Sequence, residues 1–541
     1  MADKYFGLGG DDISNSGDSA GDQYLTMSAA IAGSTAGDTI FLTDGALPAP
    51  SNRHDLNDER TLKAVNWRAG ILQANSGYSD RILDTDGSLL GSEDIYLYGL
   101  TLDGEDRVAD CLVIERSGSS SLVDVYIDTV AFQDWTNEAI DYNTMGGRLE
   151  LVGCTFSSSG ASAGVLEKVE GPGSGIGYEG AAVVKINHCD ITLDGRTSSA
   201  TDIIFLAGHD TVTHAKQVNI QDVTIDLTNT ATTASSMVVV EGIDDVVVEG
   251  VTGTLTAANS TADCFGIAVS ADGYSNGTAD NALILRNKVF FNTPSGFAIQ
   301  FGNSTADSRM AGGRFSGNYV KGQYYASDSP HGYALGQDTT AEMVSNVAED
   351  FFVNYLISKV NGTTEVSGNL SVNCYGSSYY IKGAYPAGST GAVPVVSNNV
   401  AVVDSATEIR TLGVITVTSQ FGVATGGVTI EDNLVIVEDV TKMLANGAHL
   451  ARQDTGQTAT WRRNTYIIPD TVSASEDLFY DGDTYGGACN FAEWSGLHTD
   501  ERLIQLPQAE VSALVNAYKL QADAASGEAG GAGCGSLGIG I

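Results

Sequence analysis

Val366-Ser367-Gly368-Asn369, Val396-Ser397-Asn398-Asn399, Ile430-Glu431-Asp432-Asn433 and Trp461-Arg462-Arg463-Asn464 are four copies of one phrase. Each has an apolar residue, two polar or small residues, then asparagine, with β-formers on either side. The phrase reaches back along the chain. It reads Leu97-Tyr98-Gly99-Leu100, Ile127-Asp128-Thr129-Val130, Leu151-Val152-Gly153-Cys154, Ile186-Asn187-His188-Cys189, Ile220-Gln221-Asp222-Val223 and Val248-Glu249-Gly250-Val251. Leu285-Arg286-Asn287-Lys288 is the poorest copy, and Phe315-Ser316-Gly317-Asn318 and Val344-Ser345-Asn346-Val347 complete the set. The mean spacing is about 30 residues, within the range that marks solenoids and propellers.

The copies hold short alternating β segments broken by Gly, Asn, Asp and Ser, the turn formers. No amphipathic helix recurs with them, which removes helical and leucine-rich solenoids. Four-strand hairpin spacing is missing too, which removes a propeller. The pattern predicts an all-β chain: a single right-handed parallel β-helix of about 13 recognisable rungs, stacked ~4.8 Å apart. Asn369, Asn399, Asn433 and Asn464 should share one turn column, bonding along the axis and tolerating a left-handed corner. Cys154 and Cys189 hold that column earlier and read as small buried residues. Leu97, Ile127, Leu151, Ile186 and Ile220 should stack in one internal column.

An open stack needs covered ends. Leu25, Ala29, Ala30 and Ile31 suit a short N-terminal capping helix before Gly37-Asp38-Thr39-Ile40. Val511, Leu514, Val515 and Tyr518 have helical spacing, and a Gly-rich tail runs from Gly527 to Ile541. The expected organisation is a cap over 1–48, a β-helix over 49–470, and the last rung, C-terminal cap and tail over 471–541.

Composition narrows the partners. The 541 residues include 64 glycines and 9 prolines, 42% hydrophobic and 17% charged, the balance of an ordered, turn-rich chain. Asp and Glu outnumber Lys and Arg 67 to 27, for a formal net charge of -40. Nucleic-acid binding needs clustered Lys and Arg and is not expected. Seven cysteines without a CxxC pair argue against zinc or a disulfide framework. Asp12-x-Ser14-x-Ser16-Gly17-Asp18 loosely matches a calcium loop but lacks its closing Glu, so no metal and no cofactor is expected. No apolar run approaches the ~20 residues of a membrane helix. The first residues lack a charged segment followed by an apolar one, so no secretory signal is expected.

The stretch from Tyr5 to Leu42, a Gly/Asp-rich loop, a capping helix and then Gly37-Asp38-Thr39-Ile40, resembles the opening of the pectate-lyase-like β-helix superfamily. Asn464-Thr465-Tyr466, Phe479, Phe491-Ala492-Glu493-Trp494 and Gly496-Leu497-His498 resemble its closing stretch. The resemblance implies the fold over nearly the whole chain. It leaves activity open, since members include polysaccharide lyases, glycoside hydrolases, epimerases, phage tailspikes and non-catalytic structural proteins.

Insertions between rungs mark where function should sit. A loop after Val320 carries Tyr324, Tyr325, Asp328, His331, Tyr333 and Asp338. A second, after Val372, carries Tyr375, Tyr379, Tyr380, Lys382 and Tyr385. Leaving the same strand edge, they should lie side by side, and aromatic rings with acids and a few donors suit sugars. Packing of loop on loop, or against another subunit, is the competing reading. Acid pairs are too common here to single out a hydrolase site, and no base is assigned. The favoured function is a phage virion structural protein: a tailspike, tail fibre or capsid-surface spike, made in the host cytoplasm. It would be a homotrimer in contact with other virion proteins, with host cell-surface polysaccharide as ligand. A polysaccharide lyase or glycoside hydrolase is the alternative, and a non-catalytic adhesin the third reading.

Overall fold

The computed structural model describes residues 3–48, 54–55, 60–74, 79–85, 94–115, 124–143, 147–159, 164–168, 182–196, 201–207, 217–230, 234–258, 263–270, 281–302, 310–325, 330–336, 339–360, 364–384, 393–410, 412–418 and 427–527. They form two compact units, residues 1–247 with 253–258 and residues 248–252 with 259–541.

Among the described residues of each unit the rungs contribute one strand to each of three sheets, parallel throughout except for the closing pair Phe479–Asp481 and Gly487–Cys489, so each unit is a parallel β-helix. A rung of the first unit is Ile95–Tyr98, Thr101–Asp103 and Asp110–Glu115, in the first, second and third sheets. A rung of the second is Thr339–Val344, Val347–Glu349 and Val353–Val360. The predicted column exists. Leu97 pairs with Ile127, Ile127 with Leu151, Leu151 with Ile186 and Ile186 with Ile220. All five are at most 1% exposed.

The corner between the first and second sheets explains the repeated phrase. The residue before the column position has positive φ in rung after rung, including Gly99, Thr129, Gly153, His188, Asp222, Gly250, Arg286, Gly317, Ser345, Gly368, Asn398, Asp432, Arg463 and Asp500. The left-handed residue is thus the one before the column asparagine, which corrects the sequence reading. The asparagine points inward instead, where its amide bonds matter more than its backbone tolerance.

Those bonds form a ladder of seven asparagines rather than four: Asn287, Asn318, Asn346, Asn369, Asn399, Asn433 and Asn464, each at most 2% exposed. Asn369 shows the pattern. Its backbone N–H and its Nδ2 both donate to Asn399 Oδ1, at 3.0 and 2.9 Å, and Nδ2 also donates to the Met343 carbonyl at 2.8 Å. Two copies were framed one residue late in the sequence. Ile284 pairs with Phe315, and Phe315 with Met343, so Asn287 and Asn346 hold the column, not Lys288 and Val347. Each column residue follows an apolar run where two frames look alike, and a one-residue slip moves every side chain to the other face. Cys154 and Cys189 are fully buried in the same column. The Cys154 thiol lies 3.5 Å from the Ile127 carbonyl, the place the asparagine amide takes elsewhere.

The ends differ from expectation in detail. Helix α1, Met27–Ala32, starts at the Thr26 N-cap and buries Met27 and Ala30, while Leu25 lies outside it and is exposed. Of the acids in the suspected calcium loop, Asp12 accepts from the Leu25 and Thr26 N–H groups and Asp18 pairs with Lys4 at 2.7 Å. Helix α2 is the short Val440–Ala445. The last rung is covered by α3, Phe491–Leu497, which has a capping box between Asn490 and Glu493 and drives Trp494 against Trp461, centroids 5.1 Å apart. Helix α4, Gln508–Gly527, is not an end cap. It packs along the outer face of the second sheet, with Val511, Val515 and Ala522 buried against Val347, Leu370, Val372, Val400, Val402, Leu434 and Ile436. The tail from Glu528 onward lies outside the described residues.

Candidate functional site

The ten tyrosines, acids and bases singled out in the sequence separate into four groups. Asp328 and Tyr385, with Asp338, lie outside the described residues. Tyr333 and Tyr379 are interior. They are 0% and 1% exposed and stack with Tyr355 between them, ring centroids 5.1 and 4.9 Å apart. Their hydroxyls donate to main-chain carbonyls: Tyr333 to Val347 at 3.1 Å, Tyr355 to Asn346 at 2.8 Å, Tyr379 to Asn369 at 3.0 Å. These rings fill the coil and offer nothing to a ligand. The second loop is in fact the third-sheet strand Ser377–Ala384. Its Gly-Ser-Ser start reads as a loop, and strand alternation then sends Tyr379 inward and Tyr380 outward.

The third group lies on the outer face of the third sheet. His331 stacks on Phe297 at 5.0 Å. Two strands on, Tyr380 packs with Ala334, Val353 and Leu356. The Lys382 ammonium lies 5.4 Å from the Tyr380 ring centre. Burial holds the Lys382 ammonium below its ordinary pKa. Burial, reinforced by the Lys382 charge, pushes His331 down to about 4. Both groups are therefore poised toward their neutral, basic forms relative to free side chains.

The fourth group is at the neighbouring corner, where the second sheet passes into the third. The Tyr324 and Tyr375 rings lie 4.2 Å apart at 37°, and Tyr324 is 37% exposed. The Arg410 guanidinium sits 5.4 Å from the Tyr324 ring centre and donates to its hydroxyl. Its main-chain N–H donates to the Tyr375 carbonyl at 2.8 Å, which fixes the three residues to one another. Tyr325, beside them, is half-buried.

Sequence reasoning missed the acids of this corner. Asp350 has a φ of 64° and a carboxylate 3.7 Å from Lys321, which also pairs with Glu349 at 3.0 Å. Burial, then the Glu349 charge, raise Asp350 to about 6. Asp404 goes the other way. It accepts from Lys519 at 2.7 Å, Thr407 Oγ1 at 2.8 Å and Asn373 at 3.1 Å, and these partners outweigh its burial and lower its pKa. Burial and then the two acids raise the Tyr375 phenol. The usable signal was positional: Asp350, Asn373 and Asp404 each follow a second-sheet strand directly.

Among the described residues no group of three or more His, Cys, Asp or Glu side chains is placed to hold a metal ion. The corner can stack a flat apolar face on Tyr324 and Tyr375 and hydrogen-bond a rim of hydroxyls through Arg410 and Asp350. The adjoining sheet face adds a base at Lys382 or His331.

No protein-family profile matches the chain, and no curated protein matches it. Among solved structures it is similar to the A-module of the mannuronan C-5 epimerase AlgE6 of Azotobacter vinelandii, at 12% identity. The likeness covers 78% of this chain and 90% of that one, with a TM-score of 0.30. At that score the likeness carries no argument, and the parallel β-helix stands on the strand pairings themselves.

Proposed function

We propose that this is a polysaccharide-binding β-helix of a virion surface, a tailspike, tail fibre or capsid-surface spike, which grips host glycan at the Tyr324–Tyr375–Arg410 corner. The observation that carries the glycan reading is the ring pair of exposed Tyr324 and half-buried Tyr375, held by a guanidinium at one corner. Aromatic platforms fixed in advance lose little conformational freedom on binding. Tyr324→Ala and Arg410→Gln should each weaken host-polysaccharide binding about tenfold, or ~1–2 kcal/mol of lost stacking and cation–π contact. Isothermal titration with purified surface polysaccharide reads this, and both variants should keep the wild-type melting temperature because neither residue lies in the interior. Unchanged affinity with a weakened assembly would assign the corner to subunit packing instead. Homotrimeric assembly and contact with other virion proteins belong to the same proposal. Sedimentation of the chain and mass spectrometry of purified particles test them.

A second reading, a polysaccharide lyase, is supported by two bases, Lys382 and His331, on the outer face of the third sheet, where burial lowers the pKa of both. Release of unsaturated uronate, followed by ultraviolet absorbance and abolished in Lys382→Met, would establish it.

A further inference from the structure

The first unit carries a surface that the corner site leaves unexplained. On the outer face of its first sheet, Tyr5 pairs with Phe41, Phe41 with Lys63, and Lys63 with Tyr98. One column over, Tyr96 pairs with Tyr126. The rings follow the register: Tyr5 and Phe41 lie 5.0 Å apart, Tyr96 and Tyr126 4.9 Å, and Tyr96 and Tyr98 6.3 Å, each pair within 15° of parallel. Trp67 stands at the corner beside them, 67% exposed, with its Cα 3.8 Å from where a Cβ on Gly99 would lie. Aromatic residues thus occupy four of five consecutive rungs of one face, with Lys63 in the middle rung and Trp67 at the corner after it. The hydroxyls of two are held in place by acids two residues earlier, Tyr96 by Asp94 at 3.0 Å and Tyr126 by Asp124 at 3.4 Å. The stacked interior tyrosines Tyr333, Tyr355 and Tyr379 bond to main-chain carbonyls, and Tyr466, also interior, to Glu501. These outer ones are braced from the side by carboxylates, which keeps apolar ring surface in water beside polar groups.

We propose that this aromatic strip is a second binding surface, for an uncharged polysaccharide laid along the coil axis. Three features select that occupant. The rungs repeat every ~4.8 Å, about the length of one pyranose ring, so an extended glycan meets an equivalent position at each step. Aromatic surface rimmed by carboxylates matches a sugar, which has an apolar ring face and hydroxyl donors around it. The local charge favours a neutral occupant over a polyanion: Asp94, Asp124, Asp128 and Glu150 rim the rings, against Lys63 within the strip, Arg68 over Trp67 and Arg148 paired to Glu150. The proposal is independent of the corner site, which uses other residues on other sheets.

The test is affinity electrophoresis of the full chain through gels that each hold one uncharged polysaccharide: mixed-linkage β-glucan, mannan, galactan or dextran. Polygalacturonate serves as the anionic control. Trp67→Ala combined with Tyr98→Ala is compared with its parent, in both the wild-type and the Tyr324→Ala background, so that losses at the two surfaces are counted separately. The expected result is retardation by at least one neutral gel, weakened at least fivefold by the pair of substitutions in either background. Far-ultraviolet circular dichroism should be unchanged, since both side chains lie outside the coil. No retardation in any neutral gel overturns the proposal, as does retardation that the pair leaves intact. A fall in sedimentation mass caused by the pair also overturns it, by showing the strip to be a contact between copies.

Discussion

At the residue scale the chain is governed by the two adjacent corner positions. The first needs positive φ and the second an inward side chain that can bond upward and downward. Asn433 illustrates the second. It accepts Asn399 N–H and Nδ2 at 3.1 and 3.0 Å and donates to the Val396 carbonyl at 3.0 Å and to Asn464 Oδ1 at 2.9 Å. Asn433→Leu strips partners from both neighbours inside the coil, and should cost about 3 kcal/mol, read as a lower urea midpoint at unchanged slope. Thr129 illustrates the first position. It is β-branched at a φ of 59°, between Gly99 and Gly153 in the flanking rungs, both at 61°. Left-handed backbone costs such a residue ~1–2 kcal/mol, part of which glycine gives back as unfolded-state entropy. Thr129→Gly gives up the Oγ1 bond to the Asp128 carbonyl at 2.7 Å but keeps the Arg68 bond to the carbonyl of residue 129, and should stabilise by up to about 1 kcal/mol. A lower melting temperature for this variant would refute the strain account.

At the element scale the outer face of the second sheet decides where α4 goes. In the first unit that face shows Ser157, Asp190, Thr192, Asp194, Thr224 and Asp226 to solvent. In the second unit it presents Val347, Leu370, Val400 and Leu434, with Val372, Val402 and Ile436. An α-helix of 20 residues is about 30 Å long, enough to cover five rungs at ~4.8 Å each. One residue, Pro507, separates the strand Arg502–Leu506 from α4, so the helix folds back on its own chain. Lys519 on Asp404 and Ser512 on Glu438 set its register. Val515→Asp buries a carboxylate in this seam and should cost about 3 kcal/mol. Limited proteolysis should then cut within α4 before any rung, whereas simultaneous loss of all rungs would show that the helix holds the coil together.

At the scale of the whole molecule, buried histidines set the response to acid. Burial holds His449 down to about 4, and it is 9% exposed. A depressed histidine is neutral in the fold and protonates first in the unfolded chain. Its contribution is present above the unfolded pKa and is lost as pH falls through the folded one, here from about pH 6.5 to 4. His498, also pushed by burial to about 4, acts in the same direction. Asp350 opposes them: its folded pKa of about 6 lies above the unfolded value, so its contribution is full in acid and lost as pH rises through 6. His331, at about 4, adds to the two, and three histidines against Asp350 predict a melting temperature that drops between pH 6.5 and 4.5. His449→Gln should flatten that slope and Asp350→Asn should steepen it. A melting temperature independent of pH over this range would contradict the placement of all four.

The sequence by itself determined the coil. Apolar residues at rung spacing, turn formers between them and the four late asparagines made a stack of parallel strands legible, because each rung repeats the same local requirements. The column Leu97, Ile127, Leu151, Ile186 and Ile220, the Cys154 and Cys189 positions and the helix over Val511–Tyr518 followed from the same periodicities. Tertiary structure alone decided what those periodicities leave degenerate. It placed Asn287 and Asn346 in the ladder, because only pairing to the next rung chooses between frames one residue apart. It turned Tyr333 and Tyr379 inward and left Tyr324 outside, because a tyrosine looks the same in sequence whether its hydroxyl meets a carbonyl or water. It laid α4 along a sheet rather than over an end, and it gathered Tyr324, Asp350, Tyr375 and Arg410 at one corner. Residues about 30 positions apart become neighbours only once the coil has closed, and no local pattern encodes which of them then face solvent together.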